Sequence, residues 1–199
     1  MTTLAPSALG TPARKAPPAA VSPKLRPLIE YLDGLSGRAD LGALSALLER
    51  LAITRADIEG FCVFGSRGYK RNTISASPWY ELLGICWRSG QCSTIHDHAG
   101  SSCAFKVVEG QGTEVRFELS PSGLICPVVA TKMDPGYICA AEDADIHQVA
   151  NMQAAGVRGV GGDLVTLHMY SPPIKRMTTY CYGETRPMIS GGWIDGDGV

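Results

Sequence analysis

Ser93-Thr94-Ile95-His96-Asp97-His98 is the stretch on which the reading of this chain turns. It places two histidines one residue apart in a run with β-branched residues. On a strand, residues i and i+2 point to the same face, so both imidazoles can converge on one ion from one side. His147 can add a third nitrogen from a neighbouring strand. The chain holds four histidines, His96, His98, His147 and His168, and each falls in a segment that reads as β. Three neutral imidazoles suit a borderline divalent metal such as Fe, Zn, Ni or Cu, and imidazole alone does not choose among them. A histidine pair at this spacing is common by chance, so its surroundings decide its weight.

Outward from the pair, the chain from Tyr80 onward reads as short runs rich in Val, Ile, Thr and aromatics. The expected strands are 80–88, 93–98, 103–109, 114–119, 126–133, 137–141, 147–152, 164–170 and 177–182. Turn signals separate them, among them Gly110-Gln111-Gly112, Asp134-Pro135-Gly136 and Pro172-Pro173. Nine short strands at this spacing predict a mainly β fold, a sandwich or barrel of the jelly-roll kind. Before it, Leu25, Leu28, Ile29, Leu32 and Leu35 form one helical stripe, ended by Gly34 and Gly37. Leu41, Leu44, Leu47, Leu48 and Leu51 form a second. Thr54 followed by Asp57 resembles a capping box for a third, short helix. The expected division is a flexible leader over 1–22, one domain over 23–186 (helices 24–60, barrel 61–186), and a flexible tail over 187–199.

The 199 residues suit a single domain, and 45% hydrophobic with 19% charged residues is ordinary for a chain that buries a core. A net charge of −1 provides no basic field to hold a nucleic acid or an anionic membrane. No stretch approaches the roughly 18 continuous apolar residues of a membrane span. Seven cysteines, an odd number without a C-x-x-C pair, argue against a disulfide framework and for a reducing cytoplasm. Six of them, Cys62, Cys86, Cys92, Cys126, Cys139 and Cys181, are expected to pack as small apolar residues. Cys103 is set apart for the reason given below.

The punctuation around His96 and His98, from Gly90 to Cys103 and Gly110, resembles the first motif of the cupin superfamily. His147 and Asn151 resemble the second. A glutamate usually stands where this chain has Cys103, so an all-histidine site is left. That pattern resembles the cysteine dioxygenases, from about Lys24 to Cys181. The blocks that carry it are Tyr69-Lys70-Arg71-Asn72, Cys86-Trp87-Arg88-Ser89-Gly90, the histidine stretch, Ser101-Ser102-Cys103, and Leu167-His168-Met169-Tyr170-Ser171-Pro172-Pro173.

The resemblance implies a cupin-type barrel with helices ahead of it, and Fe(2+) held by His96, His98 and His147. It implies that Arg71, with Tyr69 beside it, pairs with a substrate carboxylate, as a guanidinium fork suits. Thr166, His168 and Tyr170 would form a hydroxyl–imidazole–phenol line, with Thr166 standing where the family usually has Ser. Cys103 and Tyr170 match the pair that is joined by a thioether in the mammalian-type enzymes. Ser102 and Met177 stand where His and Cys are common there. The implied reaction adds both atoms of dioxygen to the thiol sulfur of L-cysteine, giving the sulfinic acid. The implied partners are the small thiol and O2, with no nucleic acid and no membrane, and the chain is expected to be a monomer. Two other readings stand beside this one: a dioxygenase for another small thiol acid such as 3-mercaptopropionate, and a metal-binding cupin without catalysis.

Overall fold

The computed structural model describes residues 21–141, 145–155, 162–185 and 187–191. Among the described residues, eleven strands form two antiparallel sheets. The first runs in the order β1 (Lys70–Ala76), β2 (Glu81–Trp87), β9 (Leu164–Ser171), β4 (Ser102–Glu109), β7 (Ile138–Ala141). The second runs β11 (Met188–Gly191), β10 (Arg176–Tyr180), β3 (Ile95–His96), β8 (Ile146–Ala150), β5 (Gly112–Leu119), β6 (Ile125–Met133). Their inner faces share one core. Leu83, Ile85, Trp87, Phe105 and Val107 of the first sheet meet Met133, Val149 and Met177 of the second. This is a barrel of the jelly-roll kind, as the strand spacing and the motif resemblance together predict.

The first sheet is covered on both sides. Leu82 and Cys86 of β2, Ala104 of β4, and Val165, Leu167 and Met169 of β9 point outward, into a second core. The other half of that core is two helices, α1 (Arg26–Asp33) and α2 (Leu41–Arg50). Leu28 and Leu32 of α1 and Leu44 and Leu48 of α2 are buried, the stripes read from the sequence. The side chain of Asp40 caps α2 by accepting from Ala43 N at 2.8 Å. Its other end is held from the sheet: Lys106 of β4 donates to the carbonyls of Leu48 (2.8 Å) and Leu51 (2.7 Å). Burial lowers the Lys106 ammonium below its ordinary pKa.

All nine expected strands are present, most of them a residue or two from the expected ends. The run expected over 93–98 keeps only Ile95 and His96 as strand. β1 was not read from the sequence, since its Lys-Arg-Asn-Thr run sits at a half-buried sheet edge and lacks an apolar face. The helix expected at Thr54 is a single 3-10 turn, Arg55–Asp57. Asp57 Oδ2 accepts from the Thr54 amide (2.8 Å) and hydroxyl (3.0 Å), as the capping pattern asks. The expected tail is shortened, because Met188–Gly191 pairs with β10 from Arg176↔Gly191 to Thr179↔Met188. Residues 1–20 of the expected leader and 192–199 lie outside the described residues.

Gly110 follows β4 with φ 77°, and a Cβ there would collide with the Asp163 carbonyl, so the turn into β5 requires glycine. Cys86 is buried and Cys62 and Cys139 are half-buried, but Cys92, Cys126 and Cys181 are exposed, against the expectation that all six pack inside. All seven are free thiols. Among the described residues no helix is long and apolar enough to cross a membrane.

Replacing Lys106 with Met keeps the stem and removes the three donors. The Leu48 and Leu51 carbonyls lose their partner, and stability should fall by about 1–3 kcal/mol in urea unfolding.

Candidate metal and substrate site

His96 and His147 are direct cross-strand partners on β3 and β8, and His98 follows β3 by two residues. The three rings converge with centroids 4.8, 4.8 and 5.6 Å apart. One nitrogen from each lies within 4.8 Å of the others, and all three residues are buried. The expected trio therefore forms a group that can hold a metal ion.

The residues around the rings fit that use. His96 Nδ1 lies 2.9 Å from the Thr94 carbonyl, which only accepts, so Nδ1 carries the proton and Nε2 has a lone pair. His147 Nδ1 lies 2.7 Å from Glu114 Oε1, which sets the same tautomer. Burial first, and then the neighbouring imidazoles, hold His96 well below its ordinary pKa, so it is neutral. Burial alone would raise Glu114, but its hydrogen bonds with His147 and Cys139 work the other way and hold the carboxylate below its ordinary pKa. The ligand trio has no carboxylate, as expected, yet a buried carboxylate stands directly behind one of its rings.

Asp97 anchors the turn between the two histidine positions. Its carboxylate accepts from Ala99 N (3.1 Å), Thr178 N (3.3 Å) and the Tyr180 hydroxyl (2.9 Å). The chain then bends through Ala99 (φ 45°) and Gly100 (φ 90°) into β4. Ser93 steadies β8, with its hydroxyl accepting from Val149 N at 3.1 Å. Asn151, fully buried, donates to the carbonyls of Trp87 (2.9 Å) and Gly162 (2.6 Å).

A small cavity beside His96 and His147 is lined by Tyr69, Arg71, Trp87, His168 and Tyr170. Tyr69 stacks on Trp87 with centroids 4.2 Å apart. The Arg71 guanidinium lies 5.1 Å from the centre of the Tyr170 ring. Arg71 Nη2 also donates to Glu81 Oε2 at 2.8 Å. Glu81 opens β2 and faces Tyr170 in the β2–β9 register.

The expected line on β9 is continuous at one end only. His168 Nδ1 and the Tyr170 hydroxyl share a hydrogen bond of 3.2 Å. Thr166 instead accepts from Trp87 Nε1 (3.1 Å) and lies 3.4 Å from the Ile85 carbonyl. His168 Nε2 is buried without a hydrogen-bond partner, and its ring stacks on Phe105 at 4.6 Å. Burial, then the Arg71 charge, push His168 well below its ordinary pKa, so it is neutral. Burial, then Cys103, hold the Tyr170 phenol well above its own. Cys103 and Tyr170 are opposite one another in the β4–β9 register. Burial pushes the Cys103 thiol up while its hydrogen bond with Tyr170 works the other way.

The chain matches the family model described as cysteine dioxygenase type I over residues 20–182. It belongs to the cysteine dioxygenase type I family. Among curated relatives, cysteine dioxygenase type 1 of Danio rerio is 28% identical over 144 residues, 67% of this chain and 66% of that one. Cysteine dioxygenase type 1 of Rattus norvegicus is 26% identical over 134 residues, 65% of this chain and 64% of that one. The match thus spans slightly under two-thirds of these relatives' length. A solved structure of a Klebsiella pneumoniae protein with a double-stranded β-helix domain aligns with a TM-score of 0.48 at 10% identity. That alignment covers 68% of this chain and 88% of the other.

Glu114 and Glu81 are the site residues that sequence reasoning missed. Glu114 opens an expected strand, and a carboxylate on an inward position of a strand was the available signal. Glu81 had none, because the reach of its carboxylate to Arg71 depends on the unread pairing of β1 with β2. A Glu114→Gln variant keeps the hydrogen bond but removes the charge behind His147. Metal affinity should fall about 10–100-fold in a chelator competition titration.

Proposed function

We propose that this protein is an iron(II)-dependent cysteine dioxygenase that converts L-cysteine and O2 to cysteine sulfinic acid. The observation that carries this reading is one cavity in which His96 and His147, two members of a buried three-histidine group, meet an arginine fork and a tyrosine phenol. Fe(2+), held by His96, His98 and His147, would supply the redox chemistry between thiolate and dioxygen that zinc lacks.

The chain's own residues do the rest. Arg71 binds the substrate carboxylate through its planar fork, and Tyr69 sits beside it. A guanidinium offers five donors, so the bond from Nη2 to Glu81 is compatible with a second carboxylate. Glu81 and the Tyr170 ring together orient the guanidinium toward the cavity. Tyr170, protonated and held by His168, offers its hydroxyl to the substrate or to dioxygen. Thr166 acts through Trp87, whose indole it fixes against Tyr69. The apolar walls, Ile85, Trp87 and Val149, keep the reacting sulfur away from water, where thiols oxidise to mixed products. The neutral ligand trio favours a thiolate, since an anion completes the charge that the usual glutamate would have given. Cys103 and Tyr170, in register and hydrogen-bonded, are placed to form the thioether known from the mammalian-type enzymes.

The deciding experiment pairs metal analysis with thiol-dependent oxygen uptake. Iron should track activity, and cysteine should be consumed faster than 3-mercaptopropionate or cysteamine. Faster uptake with 3-mercaptopropionate would reassign the substrate, and metal binding without uptake would make the protein a non-catalytic cupin. Arg71→Gln should cost about 2–5 kcal/mol in kcat/KM for cysteine and far less for cysteamine, which has no carboxylate. The intact chain should weigh two hydrogens less than its sequence when the thioether is present, and the deficit should vanish in Cys103→Ala.

A further inference from the structure

A second pair of side chains with redox chemistry lies outside the metal site, on the outer face of the first hairpin. Cys86, on β2, is fully buried and points away from the histidines into the helix-covered core. Cys62 follows the 3-10 turn Glu59–Phe61 and is half-buried against the same core. Both neighbours of Cys62 are fixed on the hairpin. The Phe61 carbonyl lies where a Cβ on Gly84 would come within 3.3 Å of it. The Val63 carbonyl accepts from Asn72 Nδ2 at 3.0 Å, and the same amide donates to the Gly84 carbonyl (3.1 Å) and reaches Cys86 Sγ at 3.6 Å. Cys62 is thereby held beside Cys86 in the same core, with its thiol donating to the Ile58 carbonyl at 3.4 Å.

The two sulfurs are not equivalent. The neighbouring Cys86 thiol, with the Arg55 charge, lowers the Cys62 thiol, while burial opposes them. Cys86 is raised by that same neighbour and by burial. Cys62, the partly exposed member, is the more acidic thiol; Cys86, enclosed, holds its proton more tightly. An accessible attacking sulfur above a shielded second sulfur is the arrangement thiol–disulfide exchange needs.

We propose that Cys62 and Cys86 form a thiol–disulfide exchange site that reacts with low-molecular-weight disulfides and closes to an intramolecular disulfide. In the first step the Cys62 thiolate attacks one sulfur of RS–SR. That bond breaks, and RS⁻ leaves a mixed disulfide on Cys62. In the second step Cys86 gives up its proton and attacks Cys62 Sγ, displacing the second RS⁻. The protein dithiol is oxidised by two electrons, the small disulfide is reduced, and two RSH result. The bond closes a loop that contains Tyr69 and Arg71 and ties the segment ahead of β1 to β2.

The iron-loaded protein, incubated with glutathione disulfide without oxygen, then alkylated and digested, tests this by peptide mass. The expected product is a Cys62–Cys86 linked peptide, two hydrogens lighter than its parts, that dithiothreitol reverses. Cys86→Ser should stall at a stable glutathione adduct on Cys62, and Cys62→Ser should leave Cys86 alkylatable. Mapping of the wild-type chain does not depend on either variant folding. The proposal is overturned if glutathione stays on Cys62 without linkage. It is equally overturned if only the exposed Cys92, Cys126 and Cys181 react while Cys62 and Cys86 remain free thiols. Neither readout involves oxygen uptake, so the result is independent of the assigned activity.

Discussion

The proton on Nδ1 of each supporting imidazole is the constraint from which the site follows. Three buried rings can share a cation only if each presents a lone pair inward, so each supported ring must place its proton outward. His96 does so onto the Thr94 carbonyl and His147 onto Glu114. One acceptor is a buried carboxylate and the other the backbone carbonyl just ahead of β3, so the tautomers are set before anything binds. Asp97 adds a third restraint by fixing the turn that brings His98 beside the other two. The cost of burying Glu114 is offset by the contact that makes it useful.

The two sheets divide the labour. The second sheet carries the histidines, on β3 and β8. The first carries what faces them: Tyr69 and Arg71 at β1, Trp87 on β2, Cys103 on β4, and His168 with Tyr170 on β9. The site is thus assembled across the barrel rather than along one strand, and its geometry depends on how the sheets are spaced. That spacing is set by close-packed side chains such as Phe105, Leu83 and Val149, which resist small displacements.

Much of this was legible because the chemistry needed few residue types at short spacings. His96 and His98 share a face by strand geometry alone, and the leucine stripes of residues 25–51 fold as the helices their period demands. The family blocks brought Arg71, His168 and Tyr170 to the same cavity. What escaped reading depends on pairing. β1 is polar and marginal, so nothing local marks it as a strand, and with it went the contact of Glu81 with Arg71. The direction of the Thr166 hydroxyl was also hidden, because it is decided by an indole on another strand. Cys92, Cys126 and Cys181 read as small apolar residues, but composition does not tell a core position from a turn or an edge. Cys126 shows this best, lying on β6 at the border of its sheet.

β9 shows what the two-sided cover of the first sheet entails. Every one of its eight residues is buried: Thr166, His168 and Tyr170 look into the barrel while Val165, Leu167 and Met169 look into the helices. A strand without a solvent-facing position has no neutral sites on which to accumulate change. Evolutionary drift in α1 or α2 that alters their fit against Leu167 or Met169 is felt one residue away, at His168. The leucines of the helices are therefore under the same selective scrutiny as the residues that line the cavity beside the histidines, although none of them is part of its wall.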